Sequence, residues 1–183
     1  MITETRDIYE NLEELVRNME VAAVGDIVLV AEEGLPKQVP YVVAHRAGDE
    51  LIVVRKNIMA EFRPMKTNEF DLVKWLNEDF RDGILKNLPE DLRDRIGEVK
   101  LPSIREVYGE EPEGEQFEWF KDPINRIAIK EDEEYSDWYW LRDVVSGTNF
   151  AYVHSNGHAA YTGAGTPWVG VRPALSIRAA ADL

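Results

Sequence analysis

The sequence predicts an α+β fold of mixed and antiparallel sheets with short helices, on three observations. Residues 41–55 alternate apolar side chains around an Ala47-Gly48-Asp49 turn, which is hairpin patterning. Residues 5–20 and 67–80 instead repeat apolar positions every three or four residues, the helical period. Residues 137–177 gather Trp138, Tyr139, Trp140, Phe150, Tyr152 and Trp168 into short runs divided by turn residues, which marks a β core.

Taken in order, residues 5–20 form an amphipathic helix with Ile8, Leu12, Leu15, Val16 and Met19 on one stripe and Thr3 or Thr5 as cap. Glu10, Glu13 and Glu14 face solvent, and Arg17 stands four residues after Glu13. The stripe packs on the domain or docks a partner. Residues 1–20 are set apart as this helix. Residues 21–183 form one α+β domain, split into hairpin and helices over 21–109 and a β core over 125–178. Gly25 and Asp26 turn into a strand at Ile27, and His45 ends the first hairpin strand as a surface residue.

Residues 58–65 are irregular up to Pro64. Thr67 or Asn68 then opens a helix with Phe70, Val73, Leu76, Asn77 and Phe80 inward, Trp75 at its border, and Gly83 at its end or bend. Pro89 starts a short helix with Leu88, Leu92 and Ile96 on its apolar side. Ser103 and Glu106 have capping-box spacing, and Gly109 stops that turn of helix. Residues 110–118 are acidic with Pro and Gly, an exposed loop whose carboxylates are also candidates for calcium. Residues 125–130 read as a strand with Ile127 and Ile129 inward.

In the β core, Trp138, Trp140 and Arg142 share one parity and Tyr139, Leu141 and Asp143 the other. Both sides are bulky, which predicts a central strand covered on both faces. Phe150 to Val153 follows, Ser155-Asn156-Gly157 turns, and His158 to Tyr161 returns. In the final strand Val171, Pro173, Leu175 and Ile177 share a parity, and Pro173 predicts an edge or a bulge. Arg142 and Arg172 interrupt apolar strands and need acceptors, Asp137 and Asp143 being the nearest carboxylates in sequence. Both arginines, with Trp138 and Trp140, are assigned structural roles.

The run WYWLR, a Gly-rich interval and GVRPALSI resemble the carboxyl-terminal module of an uncharacterised family of Firmicutes and their phages, which reads W-W-L-R-S, then a hairpin, then G-V-R-P-A-L. Asp143 stands where that family more often has Ser, and YVVAH departs from its pattern in the first hairpin. VGDIVLV, WLNEDF and LPSIREVYG extend the resemblance more weakly through residues 24–109. The module is distantly similar to C-type-lectin-like and formylglycine-generating-enzyme folds, which implies a lectin-like carboxyl-terminal half. Formylglycine-generating enzymes act through cysteines and copper, so that activity is excluded here.

Composition narrows the rest. The chain has no cysteine, which removes disulfides, thiolate zinc and a cysteine nucleophile. A net charge of −14 repels nucleic acid and anionic membranes. No apolar run approaches the ~20 residues of a membrane helix, and the polar, acidic amino terminus is no signal peptide, so a cytoplasmic location is expected. Phosphate-loop, HExxH and GxSxG motifs are absent. His154 and His158 flank a turn, where they can face each other across a hairpin, and Ser155 with His158 is a nucleophile pair on paper, but no third ligand or orienting acid accompanies them.

The expected function is therefore a non-catalytic module that binds a carbohydrate or protein ligand. Tyr161, Trp168, His158 and Asn156 are the candidate binding residues, with no catalytic residue, metal or cofactor assigned. The alternatives are a structural or assembly protein of phage origin, possible as a homo-oligomer, and an enzyme using carboxylates and His154 or His158.

Overall fold

The computed structural model describes residues 6–109 and 115–179. A six-stranded sheet runs in the order β1-β2-β3-β4-β9-β5, and a three-stranded sheet in the order β6-β7-β8. In the first, β1 (Ile8–Tyr9) pairs parallel to β2 (Ile27–Val30), and β3 (Val39–Ala47), β4 (Glu50–Arg55), β9 (Ala174–Arg178) and β5 (Ile96–Lys100) pair antiparallel. The second contains β6 (Tyr139–Ser146), β7 (Asn149–Val153) and β8 (Ala159–Gly163). The α+β class and its antiparallel majority are as expected.

Strand alternation feeds two apolar cores. Tyr41, Val43, Val53, Leu175 and Ile177 enter one core with Trp140 and Tyr152. Their neighbours Val42, Val54 and Ala174 enter the other with Tyr139, Leu141 and Val153. Side chains on a strand point to opposite faces in turn, so each sheet sends buried residues into both cores, while the far half of β6 and β8 stays open to solvent.

The amino-terminal helix is shorter than expected. Helix α1 spans Leu12–Arg17 and is capped by Asn11, whose side chain accepts the Glu14 N–H. Ile8 is instead in β1 and exposed; Thr3 and Thr5 lie outside the described residues. Leu12, Leu15, Val16 and Met19 are buried in the domain's own core, which leaves the stripe no free surface for a partner. Arg17 does pair with Glu13 at 2.9 Å.

The second helix begins at Asp71, which caps the Lys74 N–H, while Thr67 Oγ1 closes the turn before it. Helix α2 (Leu72–Trp75) passes through a wide π turn, Leu76–Phe80, into α3 (Arg81–Leu85). Leu72, Leu76, Phe80 and Ile84 point inward and Val73 outward. A step of four residues overshoots an α-helical turn by about 40°, and the wider π turn takes up that drift. Gly83 does not end the helix: a Cβ there would lie 2.8 Å from Glu33 Cβ, so it marks a close approach.

The π turn also presents Asn77 to the edge strand, where its amide bonds both the N–H and the carbonyl of Val99. Arg81 bonds the carbonyls of Ile96 and Gly97. Together they occupy the open edge of β5, a strand absent from the sequence reading, and deny it to another chain. Helix α4 (Glu90–Arg93) follows Pro89, and α5 (Ile104–Tyr108) has the predicted Ser103–Glu106 capping box and Gly109 in the left-handed region.

Other expectations are corrected. Residues 125–130 are no strand: a 3-10 turn, Pro123–Arg126, leads to single bridges, with Ala128 buried and Ile129 exposed. Strand β9 is interior, between β4 and β5, and Pro173 precedes it, its carbonyl accepting the Arg55 N–H. Strand β6 ends its ladder, yet Tyr139, Trp140 and Leu141 are fully buried because Gly170 closes over them. A Cβ on Gly170 would meet Ile58 Cγ2 at 2.2 Å, so only glycine lets the chain pass there.

Candidate functional site

Trp138 centres an aromatic stack beside the small sheet. Its ring lies 4.7 Å from Tyr152, nearly parallel, and 4.7 Å from His154. Trp168 meets it edge-on at 4.7 Å and 63° while remaining 47% exposed. The backbone around Trp168 is fastened on both sides. The Ala164 carbonyl accepts the N–H groups of Met65 and Lys66, and the Val169 carbonyl accepts that of Arg63. Thr162 and Thr166 share a hydroxyl hydrogen bond across the turn between them.

The other candidates lie elsewhere. Tyr161 pairs with Ala151 in register and therefore occupies the face opposite Tyr152 and Trp138. Asn156 and His158 line an open groove of about 470 Å³ with Tyr108, Pro123 and Arg126. The structure thus brings Asn156 and His158 together and separates both from Tyr161 and Trp168.

His154 and His158 pair through backbone, the His154 N–H donating to the His158 carbonyl at 2.8 Å. The His154 ring faces Ser155 Oγ at 3.2 Å, so the serine hydroxyl is engaged with His154 rather than with His158. Among the described residues no group of three or more His, Cys, Asp or Glu is placed to hold a metal ion. Glu111-Pro112-Glu113, the centre of the calcium idea, lies outside those residues. His45 is half-buried rather than a surface residue, stacked on Phe117 and bonded to Glu115.

The two predicted structural arginines differ. Arg172 is 1% exposed and donates to the carbonyls of Arg55, Lys56 and Asn125 and to Tyr139 Oη. Its guanidinium also faces the rings of Trp119, Phe120 and Tyr139. Burial draws the Arg172 pKa down, and Tyr139 opposes this. Arg142 is exposed and bonds the Leu101 carbonyl and Glu106. Neither uses the anticipated carboxylates: Asp143 accepts the Ile104 N–H, and Asp137 that of Trp138. Trp140 is buried with its Nε1–H on the Arg63 carbonyl, as suits a structural indole.

Sequence reasoning missed Arg55. It is 1% exposed and grips Glu32 with two hydrogen bonds, at 2.9 and 3.0 Å, and Glu131 with a third. Tyr41 Oη donates to the same Glu32 at 2.6 Å. Burial, reinforced by Glu32, holds the Tyr41 pKa well above its ordinary value. Burial also opposes charge on Arg55, but the Glu32 hydrogen bond and charge prevail and its pKa is raised. The local signal was a charged residue closing the apolar run LIVVR; its partner Glu32 lies across the sheet, beyond local reading.

Arg55, Glu32 and Glu131 line a cleft of about 420 Å³ together with Met59, Trp75 and Asp79. No helix among the described residues is long and apolar enough to cross a membrane. Residues 98–179, from within β5 to just past β9, match the family model of a domain of unknown function, DUF6273. No curated protein and no solved structure matches the chain.

Proposed function

We propose that this protein is a non-catalytic binding module that takes its ligand on the indole of Trp168. The observation carrying the reading is a half-exposed tryptophan braced on Trp138 by a loop whose backbone is already hydrogen-bonded. Such a ring offers flat apolar area with little ordering left to do on binding. A sugar ring or an apolar side chain of a partner protein fits that chemistry. The distant similarity of the WYWLR and GVRPALSI module to C-type-lectin-like folds supports this reading.

The test compares the wild-type chain with Trp168→Ala on a glycan array and against purified candidate partners, with circular dichroism to verify folding. Binding to at least one ligand, lost in the folded variant, supports the proposal. A ligand bound equally well by both proteins overturns it.

A further inference from the structure

The groove at the β7–β8 turn differs from its neighbours in charge. The cleft over Arg55 is rimmed by Glu33, Glu61, Asp79 and Asp132, and a third groove by Glu50, Glu98, Glu106 and Glu115. In a chain of net charge −14, the groove holding Arg126, Asn156 and His158 has no carboxylate among its described lining residues.

Its donors are held in place. The Arg126 guanidinium lies 5.0 Å from the Tyr108 ring centre and donates its Nε–H to the Phe120 carbonyl. Its backbone carbonyl accepts the Tyr139 hydroxyl at 2.6 Å. Among the described residues no acceptor is bonded to its two terminal nitrogens, whereas all three guanidinium nitrogens of Arg55 and of Arg172 are engaged. The Tyr108 hydroxyl donates to the Gly157 carbonyl at 2.7 Å and ties the opposite wall to the turn. Asn156 Oδ1 accepts the His158 N–H, which leaves Nδ2 as the donor that the amide offers.

We infer that this groove is an oxyanion site, with the planar fork of Arg126 taking a carboxylate or phosphate of a small ligand and Asn156 and His158 completing the donor set. A guanidinium presents paired N–H groups at the spacing of such oxygens. Pro123 and the Tyr108 ring supply apolar wall for the rest of the ligand. The inference stands apart from the Trp168 reading, because Trp168 does not line this groove.

The test is a titration of the isotope-labelled full chain with glucuronate, glucose 6-phosphate and glucose, followed by NMR at about 0.15 M salt, where long-range repulsion is screened. Either anion should shift the amides of Asn156, Gly157 and His158, and glucose should not. Response to glucuronate alone assigns a carboxylate, and to the phosphate alone a phosphate. Arg126→Gln should weaken binding about tenfold or more, the value of a charge-assisted pair, while Trp168→Ala leaves it unchanged. His158→Ala, on an exposed turn, should weaken it about threefold and serves if Arg126→Gln fails to fold. Equal shifts with glucose overturn the site, as does silence up to about 10 mM anion, where a millimolar site nears saturation. Undiminished binding by the folded variants does so too.

Discussion

Replacing Arg172 by methionine should destabilise the protein far more than the same change at Arg142, although both arginines stand among apolar residues in the sequence. Arg172→Met strands three backbone carbonyls that now accept at 2.8 to 3.2 Å. Hydrogen bonds to a charged group are worth about 1.5–3 kcal/mol each, so the gross loss is roughly 5–9 kcal/mol. Relief from burying a guanidinium returns several kcal/mol. The net expectation is a loss of about 3 kcal/mol, a large part of the 5–15 kcal/mol typical of a folded domain. Arg142→Met should lose about 1 kcal/mol or less, because its ion pair with Glu106 is partly open to solvent. Urea unfolding followed by tryptophan fluorescence reads both. With a slope of about 2 kcal/mol per molar, the Arg172 midpoint should fall by about 1.5 M and the Arg142 midpoint by under about 0.5 M. An Arg172→Met protein within about 1 kcal/mol of wild type would refute the reasoning, since the buried charge would then be replaceable by any side chain of similar bulk.

Two further outcomes follow from the same packing. Burial raises the Tyr41 and Tyr139 pKa values above the ordinary 10.0, with Arg172 opposing the shift at Tyr139. Above pH 10 the unfolded chain releases phenolic protons that the folded one keeps, so their contribution is whole below 10 and fades as pH rises beyond it. Melting temperature should fall between about pH 10 and pH 11, and a flat profile there would contradict the burial argument. Residues 98–179 expressed alone should give the collapsed NMR dispersion of an unfolded chain, because β9 loses β4 and Arg172 loses the Arg55 and Lys56 carbonyls; a dispersed spectrum would show that the matched segment folds unaided.

The elements legible in the sequence are those where a local rule and the tertiary environment agree. Trp138 to Leu141 alternates bulk on both parities and does divide between two cores, Trp140 entering one and Tyr139 and Leu141 the other. The hairpin around Gly48, the Ser103 capping box and the Asn156-Gly157 turn need only neighbouring residues to form. Strand β5 was hidden because a register shift between Ile96 and Val99 puts two residues three apart on the same face. Leu88, Leu92 and Ile96 meanwhile repeat at helical spacing. At residues 127–129 the smallest side chain, Ala128, turns inward, so apolar size pointed the wrong way.

For the candidate site, exposure of Trp168, Asn156 and His158 followed from their Gly- and turn-rich surroundings. The separation of Tyr161 from Trp168 follows from the β7–β8 register, and Arg126 joins Asn156 and His158 only through tertiary packing. The largest omission concerns the connection around residues 58–65, which reads as irregular and is largely so in backbone shape. It nevertheless joins the two sheets. Arg172 bonds the Lys56 carbonyl, Met59 donates to Val171, Arg63 donates to Val169, and Trp140 donates to the Arg63 carbonyl. A connection without regular structure is thus held by backbone partners on both sides, with Ile58 and Met65 as its buried anchors. Because the same bonds fix the approach to Trp168, the exposed indole is anchored to the core rather than carried on a free loop. A ligand meeting it would find a surface already ordered, and the affinity lost to immobilising a flexible loop would be correspondingly small.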